Sequence, residues 1–232
     1  MLPVRALLVD FDGTACLQDV SEMLLDEFGE PGWKRFDEAV DRGEMGLREA
    51  AGHQVAMLNG KRQEMLAFAL ERAELAPTFA PFARWAQERG LPLVLASDGF
   101  AFYIGPMLER AGLGHLEVVT NELVLDGGAP SLRHPNGHPA CVGCGTCKML
   151  AAQRLRERYG TVAFVGEGQS DRYGALYSDV VFAKDALVEI CELDGVPCMP
   201  WATFDDVREA LETTRDLPGP VGGARCPGWR AP

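Results

Sequence analysis

The chain has 232 residues, 47% of them hydrophobic and 24% charged, which is typical of a globular protein with one large unit and room for a smaller insert. With 34 acidic and 22 basic residues the formal net charge is -12, which argues against nucleic acid and anionic membranes as general partners. Seven cysteines, no signal-peptide pattern and no apolar stretch of bilayer length together predict a cytoplasmic protein with mostly reduced thiols.

The first element is a short apolar run, Ala6–Val9, which predicts a buried strand that ends on the acidic sequence Asp-Phe-Asp. Residues 18–76 then contain no strand pattern. Their apolar periodicity predicts an inserted helical cap with helices over 20–28, 33–42, 47–58 and 63–73.

From residue 77 onward, apolar runs alternate with amphipathic stretches. Such alternation predicts an α/β fold, with a Rossmann-like parallel sheet covered by helices on both faces. We therefore assign residues 1–17 and 77–216 to a catalytic core, and the Gly- and Pro-rich residues 217–232 to an extended C-terminal tail. The predicted strands cover 91–96, 116–119, 162–165 and 180–182, and the predicted helices cover 79–89, 102–111, 148–158 and 203–214.

Polar side chains follow several of these strands at their carboxyl ends, which is where open α/β sheets bind ligands. Taken singly, the stretches are typical of turns, a Gly-rich loop and a surface lysine, but their occurrence in order along one sheet edge favours a joint site. The residues are Asp10, Asp12 and Thr14 after the first strand, Ser97, Asp98 and Gly99 after the second, Lys148 at a helix start, and Glu167, Ser170 and Asp171 after the fourth.

The chemistry of this set suits a phosphate and Mg²⁺. Carboxylate oxygens are the hard ligands that Mg²⁺ prefers, and Ser97 with the backbone amides near Gly99 can cradle a phosphate at a helix start. A carboxylate such as Asp10 can attack phosphorus, and a second acid two residues on can move protons.

In this order, the stretches "DFDGT", Ser97, Lys148 and "GEGQSD" resemble the four motifs of the haloacid dehalogenase superfamily of phosphatases. The resemblance implies that Asp10 is the nucleophile and Asp12 the general acid/base. It also implies that Mg²⁺ is held by the Asp10 side chain, the Asp12 carbonyl and an acid of the fourth motif, Glu167 or Asp171. The phosphoryl group would be bound by Thr14, Ser97, Gly99 and Lys148.

The inserted helices resemble the cap of the phosphoserine-phosphatase-like branch. More narrowly, "SDGFAFYIGPML", "TNEL" and "CGTCK" resemble the group that contains the methionine-salvage phosphatase of 2-hydroxy-3-keto-5-methylthiopentenyl-1-phosphate. One departure is Glu167, which stands where the family usually has Asp. Glutamate is one methylene longer and can still reach a metal, and Asp171 can share the ligand role, so the departure bears on rate more than on the identity of the site.

Two features outside the motifs have open interpretations. Asp19 stands at the spacing where this branch places a substrate-contacting acid, and it equally fits the N-cap of the first cap helix. Arg48 lies on a cap helix within reach of a polar substrate, although such a side chain is more often on the surface. The run Cys141, Cys144 and Cys147 has spacing that could bind Zn²⁺, but the favoured interpretation is a tight turn that places Lys148.

The sequence therefore predicts Mg²⁺-dependent hydrolysis of a small phosphomonoester through an aspartyl-phosphate, with a methionine-salvage enol phosphate or phosphoserine as candidates. Asp98 joins the predicted phosphate- and substrate-binding set. Two alternatives stay open: a phosphotransferase or dehalogenase on the same core, or a catalytically weak metal- or redox-sensing interaction module that uses the cysteine run. The expected partner is a small phosphorylated metabolite, without nucleic acid or membrane, and the chain is expected to be a monomer or a homodimer.

Overall fold

The computed structural model describes residues 4–214 and residue 226. Its centre is a seven-stranded sheet in the order β4-β3-β2-β1-β5-β6-β7, in which every neighbouring pair is parallel except β3 with β4. The predicted α/β fold with a parallel sheet is thereby confirmed. The strands are β1 Ala6–Val9, β2 Leu93–Phe100, β3 Glu117–Val124, β4 Ser131–Arg133, β5 Val162–Gly166, β6 Val180–Ala183 and β7 Met199–Pro200.

Ten α-helices accompany the sheet in the described part of the chain, and the first five lie between β1 and β2. None of the described helices is long and apolar enough to cross a bilayer. The helices are α1 Val20–Phe28, α2 Arg35–Asp41, α3 Leu47–Val55, α4 Arg62–Arg72, α5 Phe79–Glu88, α6 Ala101–Arg110, α7 Lys148–Tyr159, α8 Arg172–Leu176, α9 Ala186–Asp194 and α10 Phe204–Thr213.

Strand β1 is the middle of the sheet and is fully buried along its length. Its side chains alternate between two hydrophobic clusters, because successive residues of a strand point to opposite faces. Leu7 and Val9 join the cluster built with α5 and α10, while Ala6 and Leu8 join the cluster built with α7 and α9. Burial on both faces explains why the strand reads as an unbroken apolar run.

The region between β1 and β2 leaves and re-enters the core through a short two-stranded neck. The amide of Leu17 donates to the carbonyl of Glu74, and the amide of Ala76 donates to the carbonyl of Ala15, at 2.9 Å each. Cys16 and Leu75 form an isolated antiparallel bridge between these hydrogen bonds. The chain segments that enter and leave helices α1 to α4 therefore run side by side at this neck.

Three of the elements that were not predicted are short, and the predicted tail over 217–232 lies outside the described residues except for Cys226. Strand β4 has three residues, half-buried to exposed, and pairs only at the sheet edge, while β7 has two residues. Helix α8 has five residues and contains a glycine. None of these stretches is long enough for an apolar period to stand out.

Phe204 anchors α10 to the core, and its replacement provides a test of this packing. Its ring is fully buried and lies 5.1 Å from Phe79, 5.2 Å from Phe82 and 5.1 Å from Trp201 between ring centroids. We expect Phe204→Leu to lower the free energy of unfolding by about 1 to 2 kcal/mol, because the smaller side chain leaves unfilled volume. Urea denaturation measures this change. Leu193→Ala is the control, because the Leu193 side chain is 85% exposed, and it should change the free energy of unfolding by less than about 0.5 kcal/mol. An equal loss of stability in both variants would contradict the role of Phe204 in the core.

Candidate active site

The carboxyl ends of β1, β2 and β5 meet at one edge because these strands are parallel neighbours. After β1 the chain turns sharply over Phe11–Ala15, with Gly13 at φ 71. A Cβ on Gly13 would come within 3.0 Å of the Glu167 side chain, which arrives from the end of β5. Glycine is thus needed here both for its backbone angle and for the close approach of the Glu167 carboxylate.

Lys148 lies between two buried carboxylates at this edge. Its ammonium donates to Asp10 Oδ1 and to Asp171 Oδ1 at 2.6 Å each, and to Ser170 Oγ at 3.1 Å. The three charged side chains are at most 5% exposed. Asp171 is held on its other oxygen by the amides of Glu167 and Gly168 at 2.8 and 3.1 Å. One cation therefore links the end of β1 to the loop after β5.

Burial and neighbouring charges shift the proton affinities of this group. Removal from water raises the pKa of Asp10 well above its ordinary value, and the charge of Asp171 adds to the rise while Lys148 opposes it. Burial lowers the pKa of Lys148, but the charges of Asp10 and Asp171 outweigh it, so the pKa stands above its ordinary value. Lys148 thus stays charged, and its ammonium opposes the rise in the pKa of Asp10.

Asp12 is held by a separate set of donors. The Ser97 hydroxyl donates to Asp12 Oδ2 at 2.8 Å, the Tyr103 hydroxyl lies 3.1 Å from both Asp12 oxygens, and the amide of Val20 donates to Asp12 Oδ1 at 3.0 Å. Removal from water, together with the charge of Asp19, raises the pKa of Asp12 to about 7. A carboxyl group with a pKa near 7 can donate and accept a proton near neutral pH.

Ser97, Asp98 and Gly99 form the end of β2, and each has a different neighbour. Ser97 Oγ accepts from the amide of Gly99 at 2.8 Å, and a Cβ on Gly99 would collide with Tyr103 and with Asp12. Asp98 instead faces the cysteine-rich loop, since its Oδ1 accepts from the amide of Thr146 at 2.7 Å. Its Oδ2 is buried without a hydrogen-bond partner among the described residues.

A divalent cation fits the acids at this edge. Asp10, Glu167 and Asp171 each offer an oxygen atom within 4.8 Å of the others, which is the only such group of three metal-ligating residue types found in the described chain. Removal from water, with the charge of Asp171, raises the pKa of Glu167 to about 7. Mg²⁺ prefers hard oxygen donors, and several carboxylates placed close together provide them. The Asp12 side chain is not part of this group and is held by Ser97, Tyr103 and the amide of Val20.

A cavity of about 190 Å³ opens in front of these acids. Asp19 lies in its wall and also caps α1, since Asp19 Oδ1 accepts from the amide of Glu22 at 2.9 Å, so both interpretations of this residue fit the structure. Thr14 does not line the cavity; it is buried, and its hydroxyl is unpartnered among the described residues. Lys148 lies behind Asp10, outside the cavity lining. The lining includes Asp10, Asp12, Asp19, Ser97, Asp98, Gly99, Glu167 and Ser170 from the residues singled out in the sequence.

Arg48 does not line this cavity. Its guanidinium donates to the carbonyl of Cys144 at 2.8 Å, and its own amide donates to the carbonyl of Gly143 at 3.2 Å. Arg48 therefore connects α3 with the cysteine-rich loop that leads into Lys148.

The structure adds residues that the sequence reasoning missed. Tyr103 on α6 reaches Asp12, and Asn121 on β3 donates to the carbonyl of Asp98 at 2.7 Å. Glu22 on α1 and Asp37 on α2 join Asp19 in the cavity wall. The stretches that contain Tyr103 and Asn121 were noted only because they resemble a known group of phosphatases. No local sequence pattern indicates which acids on a helix face a cavity.

Cys141, Cys144 and Cys147 line a second cavity, of about 330 Å³, together with Cys226. All are free thiols, and the amide of Gly143 donates to Cys141 Sγ at 3.3 Å. Cys147 directly precedes Lys148 at the start of α7. The run therefore leads directly into Lys148, and its interpretation as a tight turn or a Zn²⁺ site stays a prediction.

Comparison with known proteins gives a family and several relatives. A model of the haloacid dehalogenase-like hydrolase family matches residues 7–175. The 2-hydroxy-3-keto-5-methylthiopentenyl-1-phosphate phosphatase of Geobacillus kaustophilus is 30% identical over 213 residues, with 89% of this chain and 94% of that protein covered. The bifunctional enzyme MtnB/MtnX of Bacillus licheniformis is 29% identical, with 91% of this chain covered, and the chain spans only 50% of its length.

Solved structures share the fold at low sequence identity. A substrate-bound phosphoserine phosphatase superposes with a TM-score of 0.70 at 17% identity, covering 91% of this chain and 99% of that one. A haloacid dehalogenase family hydrolase from Salmonella enterica superposes with a TM-score of 0.73 at 14% identity, covering 92% and 73%. At such identities the likeness concerns the fold.

Proposed function

The chain belongs to the haloacid dehalogenase-like hydrolase family, and we propose that it is a Mg²⁺-dependent phosphatase that hydrolyses a small phosphomonoester through an aspartyl-phosphate. The observation that carries this proposal is the pair of differently held acids at the end of β1. Asp10 is buried against Lys148, whereas Asp12, two residues on, is bound by hydroxyl and amide donors and has a pKa of about 7. One acid is suited to attack and the other to proton transfer.

In the first step, an Asp10 oxygen forms a bond to phosphorus while the bond from phosphorus to the ester oxygen breaks. Asp12 gives its proton to that leaving oxygen, which departs as an alcohol. In the second step, Asp12 takes a proton from a water molecule whose oxygen bonds to phosphorus while the bond from phosphorus to the Asp10 oxygen breaks, so phosphate leaves and the Asp10 carboxylate is restored. Lys148 offsets charge on the transferring group, and Ser97, Gly99 and Thr14 are proposed to bind its oxygens.

Asp10, Glu167 and Asp171 are the side chains proposed to hold Mg²⁺, together with the Asp12 carbonyl. The ion would neutralise negative charge where phosphate and carboxylates meet. Glu167 takes the place of the shorter acid usual in the family, and the space above Gly13 gives its longer side chain room.

Residues 18–76 are proposed to be a cap over a core made of 1–17 and 77–216. Helices α1 and α2 contribute acids to the cavity wall while attached to the sheet through the neck at Cys16 and Leu75. A cap on such a neck can open to admit substrate and close to exclude water. A cytoplasmic location and a small phosphorylated metabolite as partner belong to the same proposal.

Hydrolysis of p-nitrophenyl phosphate tests the proposal. We expect phosphate release with Mg²⁺, loss of activity after treatment with EDTA, and recovery when Mg²⁺ is restored, because the acid cluster needs a cation before it accepts a phosphate. A control with Ca²⁺ in place of Mg²⁺ should recover much less, since Ca²⁺ prefers a looser shell of ligands. Equal activity before and after EDTA would contradict the metal requirement. The relatives' enol phosphate and phosphoserine are further compounds to test.

A further inference from the structure

Tyr103 is a buried polar side chain that takes no part in the bond-making steps of the proposed reaction. It lies on α6, is fully buried, and does not line the cavity in front of the acids. Its ring is enclosed by Phe11, Phe100 and Phe102, whose ring centroids are 6.3, 6.0 and 5.5 Å away. A phenylalanine would fill the same apolar space, so the packing of the ring does not explain why a hydroxyl is buried here.

The hydroxyl of Tyr103 has two partners on different elements. It lies 3.1 Å from both carboxylate oxygens of Asp12 and 3.1 Å from Ser21 Oγ on α1. A phenol has one proton to donate, and an ionised carboxylate can only accept. The proton of Tyr103 is therefore used on Asp12, and Ser21 is the donor in its bond to Tyr103. Hydrogen bonds thus run from Ser21 through Tyr103 to Asp12.

Each oxygen of Asp12 also has a donor of its own. The amide of Val20 donates to Oδ1 at 3.0 Å, and the Ser97 hydroxyl donates to Oδ2 at 2.8 Å. Tyr103 differs from these two donors because it is equally distant from both oxygens. Donors from α1, β2 and α6 together fix the plane of the Asp12 carboxylate, and Tyr103 is the donor that holds both of its oxygens.

Gly99 leaves the space through which the Tyr103 hydroxyl reaches Asp12. A Cβ on Gly99 would collide with that hydroxyl, and it would lie 2.5 Å from Asp12 Oδ2 and 2.9 Å from Ser97 Oγ. Gly99 is not among the glycines with a positive φ, so its backbone conformation does not require glycine. The close approach of these three side chains does require it. Gly99 is thus an independent sign that the contact between Tyr103 and Asp12 belongs to the site.

We propose that Tyr103 is a positioning residue, whose hydroxyl, held by Ser21, orients the Asp12 carboxyl group for proton transfer to the leaving oxygen. This assignment rests on the proposed phosphatase function. Because Tyr103 lies outside the cavity lining, it acts through Asp12 and does not contact the substrate. Loss of the hydroxyl should therefore slow the departure of leaving groups that need a proton, and it should leave the binding of phosphate unchanged.

Two aryl esters distinguish this role from general damage to the site. Phenyl phosphate and p-nitrophenyl phosphate share an aromatic ring, but p-nitrophenolate is a stable anion that departs with little help from an acid. The value of kcat/KM covers the steps up to the loss of the leaving group, so hydrolysis of the aspartyl-phosphate does not enter. For Tyr103→Phe with Mg²⁺, we expect kcat/KM to fall by roughly 10- to 100-fold for phenyl phosphate and by less than about 3-fold for p-nitrophenyl phosphate. The inhibition constant of inorganic phosphate should stay within about two-fold.

Two further variants locate the effect. Tyr159→Phe is the matched control, because Tyr159 lies at the end of α7 and does not line the cavity, and it should keep the ratio of the two kcat/KM values. Ser21→Ala removes the donor to Tyr103 and should change this ratio in the same direction as Tyr103→Phe, but less. Because Ser21 acts through the Tyr103 hydroxyl, the double variant should have the same ratio as Tyr103→Phe alone.

The outcomes separate this assignment from the proposed phosphatase function. If the unaltered protein hydrolyses both esters with Mg²⁺ and Tyr103→Phe leaves the ratio of their kcat/KM values unchanged, the assignment fails and the phosphatase stands. An equal change of the ratio in Tyr159→Phe would also overturn the assignment. Should Tyr103→Phe fail to fold, Ser21→Ala decides, because a changed ratio supports the assignment and an unchanged ratio overturns it. If the unaltered protein hydrolyses no phosphate ester, the phosphatase function fails and the assignment fails with it.

Discussion

Replacing Asp10 by Asn is expected to lower the hydrolysis of phosphate esters by about 10⁴-fold or more while the chain remains folded. An amide nitrogen and a neutral oxygen cannot form the bond to phosphorus that the carboxylate forms. The fold should survive because asparagine has the same shape, and because the pKa of Asp10 is already raised by burial and by Asp171, so its charge is held at a cost. Phosphate release measures the activity, and thermal unfolding verifies the fold.

The matched control for this variant is Asp41→Asn. Asp41 is an exposed acid at the end of α2 that does not line the cavity, so the same chemical change there should leave activity within about two-fold. Substantial turnover by folded Asp10→Asn would rule out Asp10 as the nucleophile and favour direct attack by water.

Replacing Lys148 by Met is expected to abolish activity and to lower the free energy of unfolding by about 3 to 5 kcal/mol. The ammonium is buried and donates at 2.6 Å to both Asp10 and Asp171. Methionine keeps much of the side-chain volume but leaves two buried carboxylates without a counter-charge. Removing one partner of a buried ion pair is strongly destabilising because the charge that remains is buried without compensation. Urea denaturation in the presence of EDTA measures the loss without a contribution from bound metal.

A double variant distinguishes lost charge from lost packing. Asp10→Asn combined with Lys148→Met removes one carboxylate together with the cation, so part of the lost stability should return. If the double variant loses as much stability as the two single variants together, the loss comes from packing. The explanation of the Lys148 effect by charge is then wrong.

The sequence determined much of the core by itself. Strand β1 has the predicted bounds because four apolar residues are closed off by Asp-Phe-Asp, and α1 has the predicted bounds from its apolar period. The acids at the ends of β1 and β5 were placed at one edge because parallel strands end at the same side of a sheet. Strand β4 was not predicted, because its three residues form a strand only by pairing with β3 at the sheet edge.

Tertiary structure decided which side chains meet. Lys148 was predicted to bind phosphate, and only packing of α7 against the sheet shows it between Asp10 and Asp171. The packing of α3 likewise turns Arg48 to the cysteine-rich loop instead of the cavity. Distances between residues on separate helices depend on how those helices pack. The apolar periodicity of one helix does not contain this information. The contacts of Lys148 and Arg48 are therefore visible only once the fold is known.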